Sequence, residues 1–177
     1  EMHNLEIFCN SLSCQNNSIY KSWNFTRYAI RTLNNTVDPN DDEVYIHDKC
    51  KDWYGVTCNT DDHITKLKLN GTNLQGTLTS RLGFITDLEV LELGNNTIIG
   101  TIPDDINLLK NLEKIALDAN DMTGTVASLT NLATLKTLTL SENKFIGNIF
   151  NRIKGLSELQ VLDVGYNKFN DKLQSLD

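Results

Sequence analysis

One pattern constrains this chain more than any other. An apolar residue, two variable ones, an apolar residue, one variable, an apolar residue, two variable and then usually Asn recur at a nearly fixed interval. The pattern begins at Ile64, Leu88, Leu112, Leu135 and Leu159, in steps of 24, 24, 23 and 24 residues. A unit of that length cannot bury its apolar face alone. It must stack on a neighbour, so the period predicts a solenoid with one continuous core. Such a fold presents a broad face of variable side chains and encloses little space.

Within the second unit, Leu88, Leu91 and Leu93 are expected to point inward, and the alternation around Leu91 and Leu93 predicts a short strand. Asn96 follows where the chain turns while its backbone is being buried. A buried Asn can bond the backbone of its own coil and of the adjacent one. That slot recurs as Asn120, Asn143 and Asn167, with Thr72 in the first unit. The apolar slot of Ile98 recurs as Leu74, Met122, Phe145 and Phe169. Gly100 recurs as Gly76, Gly124 and Gly147, where a tight backbone path excludes a side chain, and the fifth unit has Asp171 instead. Ile106 and Leu109 close the unit, through a single helical or 3₁₀ turn. The third unit is one residue shorter between Val126 and Leu129, which predicts a tighter return turn.

The repeated units resemble the leucine-rich repeat. Their Gly-Thr-Leu, Gly-Thr-Ile-Pro, Gly-Thr-Val and Gly-Asn-Ile runs are similar to the subclass of plant extracellular proteins. That resemblance implies an α/β solenoid with a parallel sheet on its concave face, and a second short strand at the Gly-x-Ile-Pro segment. The run Cys50-Lys51-Asp52-Trp53-Tyr54-Gly55-Val56-Thr57-Cys58 resembles the cap that seals the first repeat in those proteins, and Ser22-Trp23-Asn24 resembles another part of it. Residues 1–63 are therefore read as a partly helical, disulfide-containing N-terminal cap. Residues 64–177 are read as five repeats, 64–87, 88–111, 112–134, 135–158 and 159–177.

A solenoid needs its end coils covered. Trp53, Tyr54 and Val56 are expected to pack over the first coil, and Ile19 to Leu33 has the spacing of a cap helix. The acidic run from Thr36 to Glu43 lacks the glycine and distant Glu of an ordered calcium loop and reads as a solvated connection, so no metal is expected. At the other end, Phe169, Leu173 and Leu176 fall near an uncovered core. The chain thus reads as the N-terminal part of a longer protein.

The four cysteines, Cys9, Cys14, Cys50 and Cys58, all lie in the first third. Five acceptor sequons for N-linked glycan accompany them, at Asn16, Asn24, Asn34, Asn70 and Asn95. Together they predict a secreted chain, or one on the extracellular face of the plasma membrane, with any leader peptide already removed. Three pairings are open; short loops close most readily, which favours Cys50 with Cys58 and Cys9 with Cys14. The formal net charge is -7, and residues 64–177 balance 11 Lys and Arg against 13 Asp and Glu. No basic stripe is present to hold nucleic acid. No apolar run approaches the roughly 18 residues of a membrane span.

Function is expected on the outward side of the strands. One column there is Lys68, Glu92, Ala116, Thr139 and Asp163, and another is Lys66, Val90, Lys114, Thr137 and Val161. Beyond them lie Asn70, Gly94, Asp118, Ser141 and Gly165, then Gly71, Asn95, Ala119, Glu142 and Tyr166. The binding candidates are Lys66, Lys68, Glu92, Lys114, Asp118, Thr139, Glu142, Asp163 and Tyr166, with Tyr166 as the anchor because an exposed aromatic with a polar tip is a common hot spot. Glycans on Asn70 and Asn95 would crowd one lateral edge of the first two units. Thr77, Thr101 and Thr125 form a further row, continued by Asn148 and Lys172, of a type that can bind ice. The three histidines precede the repeats, and no metal spacing, phosphate loop or nucleophile elbow occurs, so an enzyme, a cofactor and a catalytic residue are not expected. The expected role is recognition of a protein or peptide ligand, with a larger receptor or a cell-wall polysaccharide as further partners. The resemblance implies the ectodomain of a receptor or co-receptor, or an adhesion protein. The alternative is a secreted inhibitor of a cell-wall-degrading enzyme, similar to the polygalacturonase-inhibiting proteins.

Overall fold

The computed structural model describes Cys50 and residues 53–170. The Cys9–Cys14 pairing, the cap helix at Ile19–Leu33, the sequons at Asn16, Asn24 and Asn34, the acidic run at 36–43 and the residues Asp171, Lys172, Leu173 and Leu176 fall outside them.

The described residues coil into two sheets that share one core. The first sheet contains β1 (Val56–Cys58), β2 (Ile64–Lys68), β4 (Val90–Glu92), β6 (Lys114–Ala116), β8 (Thr137–Thr139) and β10 (Val161–Asp163), in that spatial order. All its repeat strands are parallel, as a coil of constant handedness demands. The second sheet holds β3 (Gln75–Thr77), β5 (Thr97–Gly100), β7 (Asp121–Thr125), β9 (Lys144–Gly147) and β11 (Lys168–Phe169). These strands end at the repeat glycine or run one residue past it, so the second sheet sits slightly upstream of the Ile-Pro pair that the resemblance pointed to. The fifth strand, where Asp171 replaces glycine, stops at Phe169.

Register fixes which side chains share a column. Leu67 faces Leu91, Leu91 faces Ile115, Ile115 faces Leu138 and Leu138 faces Leu162. The first four are fully buried, and together with Leu69, Leu93, Leu117 and Leu140 they form the spine. Burying each such side chain contributes about 2 kcal/mol, and the gain exists only when the neighbouring coil is present. Leu162 is 38% exposed, since among the described residues no coil covers β10. Phe169 stacks on Phe145 with ring centroids 6.3 Å apart, so the Ile98 slot is kept to the fifth unit.

The Asn column bonds as its position predicted. Each side chain joins two coils: Asn96 donates to the carbonyls of Leu69, Leu93 and Gly94 and accepts from Leu74. Asn120 and Asn143 repeat the arrangement. Thr72 lacks an amide and its hydroxyl donates to Leu69 instead, at 2.7 Å.

The return segments differ from one another. Units one and two use 3₁₀ turns, Ser80–Phe84 and Asp104–Leu108. Unit four uses a single helical turn, α1 (Phe150–Ile153). The shortened third unit has no helical turn at all, rather than the tighter one expected. Missing one residue, it keeps only the hydrogen-bonded turns closed by the Leu132 N–H on the Leu129 carbonyl and the Leu135 N–H on the Leu132 carbonyl. The amide of Asn107 donates to the Ser128 carbonyl, and the Leu129 N–H donates to the Arg152 carbonyl at 2.8 Å. Neighbouring coils thereby satisfy the backbone that the absent turn would have used.

The first coil is sealed by β1, which pairs antiparallel with β2 and is tied by the Cys50–Cys58 disulfide. Trp53 and Val56 are buried as expected. Tyr54 is not; it is 59% exposed. Gly55 explains the difference. Its φ of +75° reverses the chain between Tyr54 and Val56, and a Cβ there would lie 2.3 Å from the Lys68 carbonyl.

Candidate functional site

Outward-facing residues of the first sheet alternate with the buried spine, as the two-residue period of a strand requires. Lys68, Glu92, Ala116, Thr139 and Asp163 are register partners in sequence, as are Lys66, Val90, Lys114, Thr137 and Val161. The two columns therefore run side by side along the stack. Ala116 and Gly94 are buried, so the centre of the face combines short side chains with the longer Glu92 and Lys114 on the same two strands.

Several of the candidate residues hold one another. Lys114 Nζ lies 2.7 Å from Glu92 Oε1 across the β4–β6 step. Asp118 Oδ1 accepts from the Thr139 hydroxyl at 2.9 Å. Asp118 also presses on Gly94, where an added Cβ would meet its carboxylate oxygen at 2.9 Å. Asp163 accepts from the Gly165 N–H at 3.1 Å. Among the described residues, neither Lys66 nor Lys68 has a carboxylate partner. Along the neighbouring edge, Glu113 pairs with Lys136 at 2.9 Å and Asp87 with His63 at 2.5 Å.

The lateral column Gly71, Asn95, Ala119, Glu142 and Tyr166 has a property that the repeat pattern alone did not reveal. All five have positive φ: 63°, 54°, 50°, 54° and 49°. The cause is the ladder. The N–H groups of Gly71, Asn95, Ala119 and Glu142 each donate to the carbonyl one coil on, at 2.9 to 3.0 Å, which fixes the left-handed turn in the first four units; Tyr166 follows the same path in the fifth. Glycine and asparagine, the usual occupants of that conformation, hold the first two positions. Their shared slot was the available signal. Tyr166 is 87% exposed, so its ring gains nothing from packing that would offset its backbone strain. Asn70 and Asn95 both lie exposed along this edge, and Asn70 Oδ1 accepts from the Gly94 N–H at 2.7 Å.

On the second sheet, Thr77, Thr101 and Thr125 are exposed in a row, as expected. Their methyl groups also fill the space left by the next coil's glycine. A Cβ on Gly100, Gly124 or Gly147 would lie 3.0, 2.8 or 3.0 Å from the Thr77, Thr101 or Thr125 Cγ2. Ile99, about half exposed, shares this face, as does the Lys144–Asp121 ion pair at 2.5 Å.

A family model described as Leucine Rich Repeat matches residues 87–109. "Leucine-rich repeat protein 1" of Arabidopsis thaliana is 44% identical over 41 residues, 23% of this chain and 19% of its own length. A probable leucine-rich repeat receptor-like protein kinase of the same plant is 31% identical over 66 residues, 37% of this chain and 7% of its own length. The chain thus spans less than a fifth of either relative. Among solved structures, one from the BIR3–SERK2 complex of Arabidopsis thaliana is 28% identical, covering 80% of this chain and 75% of that one with a TM-score of 0.65. The ectodomain of the Arabidopsis thaliana receptor kinase SOBIR1 is 29% identical, covering 88% and 83%, with a TM-score of 0.61. A plant ice-binding protein is 25% identical, covering 95% of this chain and 48% of that one, with a TM-score of 0.73. Repeat, coil geometry and neighbours agree on a leucine-rich repeat solenoid, similar to those of plant receptor-kinase ectodomains.

Proposed function

We propose that this leucine-rich repeat chain is an extracellular recognition module, the ligand-contacting part of a cell-surface receptor or co-receptor, with its concave sheet as the contact surface. The observation that carries the reading is the contrast between columns. The inward column is apolar in every coil, whereas the outward positions in register with it change from Lys to Glu, Ala, Thr and Asp. A structural sheet needs no such variety. Its likeness to a receptor-kinase ectodomain over most of both chains supports the same assignment. A protein or peptide is the ligand class, and the module itself is non-catalytic.

The test is selection of binders from a random peptide display against the glycosylated, secreted protein. Thr139→Arg fills the central floor of the concave face and should abolish capture. Arg81→Glu, on the opposite return segment, should leave it intact. Equal loss from both variants, or loss from the second alone, would sink the assignment of the concave face. Inhibition of a polygalacturonase by the same protein would instead select the inhibitor role.

A second reading has one observation in its favour. The exposed row Thr77, Thr101 and Thr125 lies on a sheet whose fold matches a plant ice-binding protein over 95% of this chain. The row is interrupted by Asn148 after three hydroxyls, and the charged Lys144–Asp121 pair shares its sheet. Absence of thermal hysteresis and of ice-recrystallisation inhibition is the expected result; activity lost on Thr101→Lys would establish ice binding in its place.

A further inference from the structure

The concave face is electrically uneven along the stack. Strands β2, β4 and β6 present Lys66, Lys68 and Lys114 against the single carboxylate of Glu92, which Lys114 already holds. At the sheet edge Glu89, whose N–H donates to the Thr65 carbonyl, borders this basic end, and the mutually paired Glu113 and Lys136 follow along the same edge. Strands β8 and β10 present Thr137, Thr139, Val161 and Asp163, with Glu142 exposed on the rim beside them and no cation in either outward column. Asp118, between the ends, is committed to Thr139. From β2 to β10 there are four strand steps. At about 4.8 Å each, the two charged ends lie roughly 19 Å apart. An extended chain at about 3.3 Å per residue crosses that distance with about six residues.

We propose that the concave sheet takes an extended peptide lying across the strands. An acidic side chain sits over Lys66 and Lys68, a basic one over Asp163 and Glu142, and about six uncharged, mostly small residues lie between them on the floor of Ala116, Thr137 and Thr139. The inference rests on the concave sheet being the contact surface. Opposite charges at the two ends of one line set register and orientation more than they set affinity. The short side chains of Ala116, Thr137 and Thr139 leave room for a strand with small side chains. Glycans at Asn70 and Asn95, along one lateral edge, would obstruct a wide globular partner more than a narrow one.

The experiment measures fluorescence anisotropy of synthetic peptides on the intact chain, each with one acidic and one basic residue separated by two, six or twelve Ala, Gly and Ser residues. Peptides with two acidic or two basic ends serve as comparison. The six-residue spacing should bind best and should weaken as salt is raised. Lys66→Glu combined with Lys68→Glu should lower its affinity about tenfold and shift preference to the peptide with two basic ends. The milder Lys68→Gln should shift it part of the way, which guards against a misfolded double variant. Binding indifferent to charge order and spacing would overturn the inference, while its loss on Thr139→Arg would leave the concave contact surface standing. If no designed peptide binds although display-selected ligands do, the inference is overturned alone.

Discussion

Replacing Asn120 by Ala tests the internal bonding of the solenoid more sharply than any deletion from the apolar spine. The Asn120 amide accepts from the Ile98 N–H at 3.0 Å and donates to the carbonyls of Leu93, Leu117 and Asp118 at 3.0, 3.1 and 3.2 Å. The three carbonyls do not lose everything. Leu93 keeps the Asn96 amide, Leu117 keeps the Asn143 amide, and Asp118 keeps the Asn95 N–H. Only the Ile98 N–H, in a fully buried residue, is left without an acceptor. One orphaned donor costs about 1–3 kcal/mol, and three weakened acceptors add roughly 0.5 kcal/mol each. The expected loss is about 3 kcal/mol, or a fall of roughly 1.5 M in the urea midpoint for a slope near 2 kcal/mol/M. Asn120→Asp separates this account from simple loss of packing. It keeps the acceptor but sets an anion against three carbonyls, so it should be less stable than Asn120→Ala at pH 7. Its carboxyl must be protonated to donate, which raises the folded pKa above the unfolded value. Stability should therefore recover as pH falls towards 4 and be lost again as pH rises. Asn167→Ala, at a half-buried site that water reaches, should cost only about 1 kcal/mol. Equal losses at positions 120 and 167, or an Asn120→Asp variant as stable as Asn120→Ala, would refute the reasoning.

Three further outcomes follow from close contacts and exposure. Gly124→Ala, at φ +77° and 2.8 Å from the Thr101 methyl, should cost about 2 kcal/mol in chemical denaturation, and Thr101→Ser should restore about half by removing that methyl. Trp53→Ala should cost about 3 kcal/mol by uncovering the first coil, whereas Tyr54→Ala should fall within about 0.5 kcal/mol of the parent. Tyr166→Asn should leave the thermal midpoint unchanged or raise it, because asparagine tolerates φ 49°, while lowering ligand affinity; a fall in both would show that the ring serves the fold.

What could be read from the residues followed the strength of their periodicity. Ile64, Leu88, Leu112 and Leu135 announce both the coil and its register, because a one-residue slip would turn every spine residue to water. The Asn ladder was equally legible, since a polar residue at a fixed inward slot has few other uses. Tyr54 misled because it lies between two buried neighbours, and only the sign of φ at Gly55 decides which way it points. The missing turn of unit three was visible as a deletion between Val126 and Leu129. Its replacement by bonds from Asn107 and Arg152 was not, because those partners lie one coil away on either side. The pairs Glu92–Lys114 and Asp118–Thr139 escaped for a related reason. Each residue was read in its own column, while the interaction runs across strands at a spacing of 22 or 21 residues.

The rim of left-handed residues is where the needs of fold and contact conflict. The ladder holds positive φ in the first four coils and the fifth shares it, and the backbone would be least strained with glycine or asparagine throughout. Gly71 and Asn95 meet that demand; Ala119, Glu142 and Tyr166 depart from it by degrees. A left-handed residue with a Cβ costs about 1–2 kcal/mol relative to glycine. At Ala119 the cost is smallest and the site is half buried. At Glu142 and Tyr166 the side chains stand in solvent, so no burial compensates. Strain kept without structural return gathers toward the fourth and fifth units, away from the sequon at Asn95 and beside Asp163 on the contact face. The proposed contact face thus carries its most strained rim positions, Glu142 and Tyr166, at the end that also holds Asp163, which is where a ligand would offset a strain the fold leaves uncompensated.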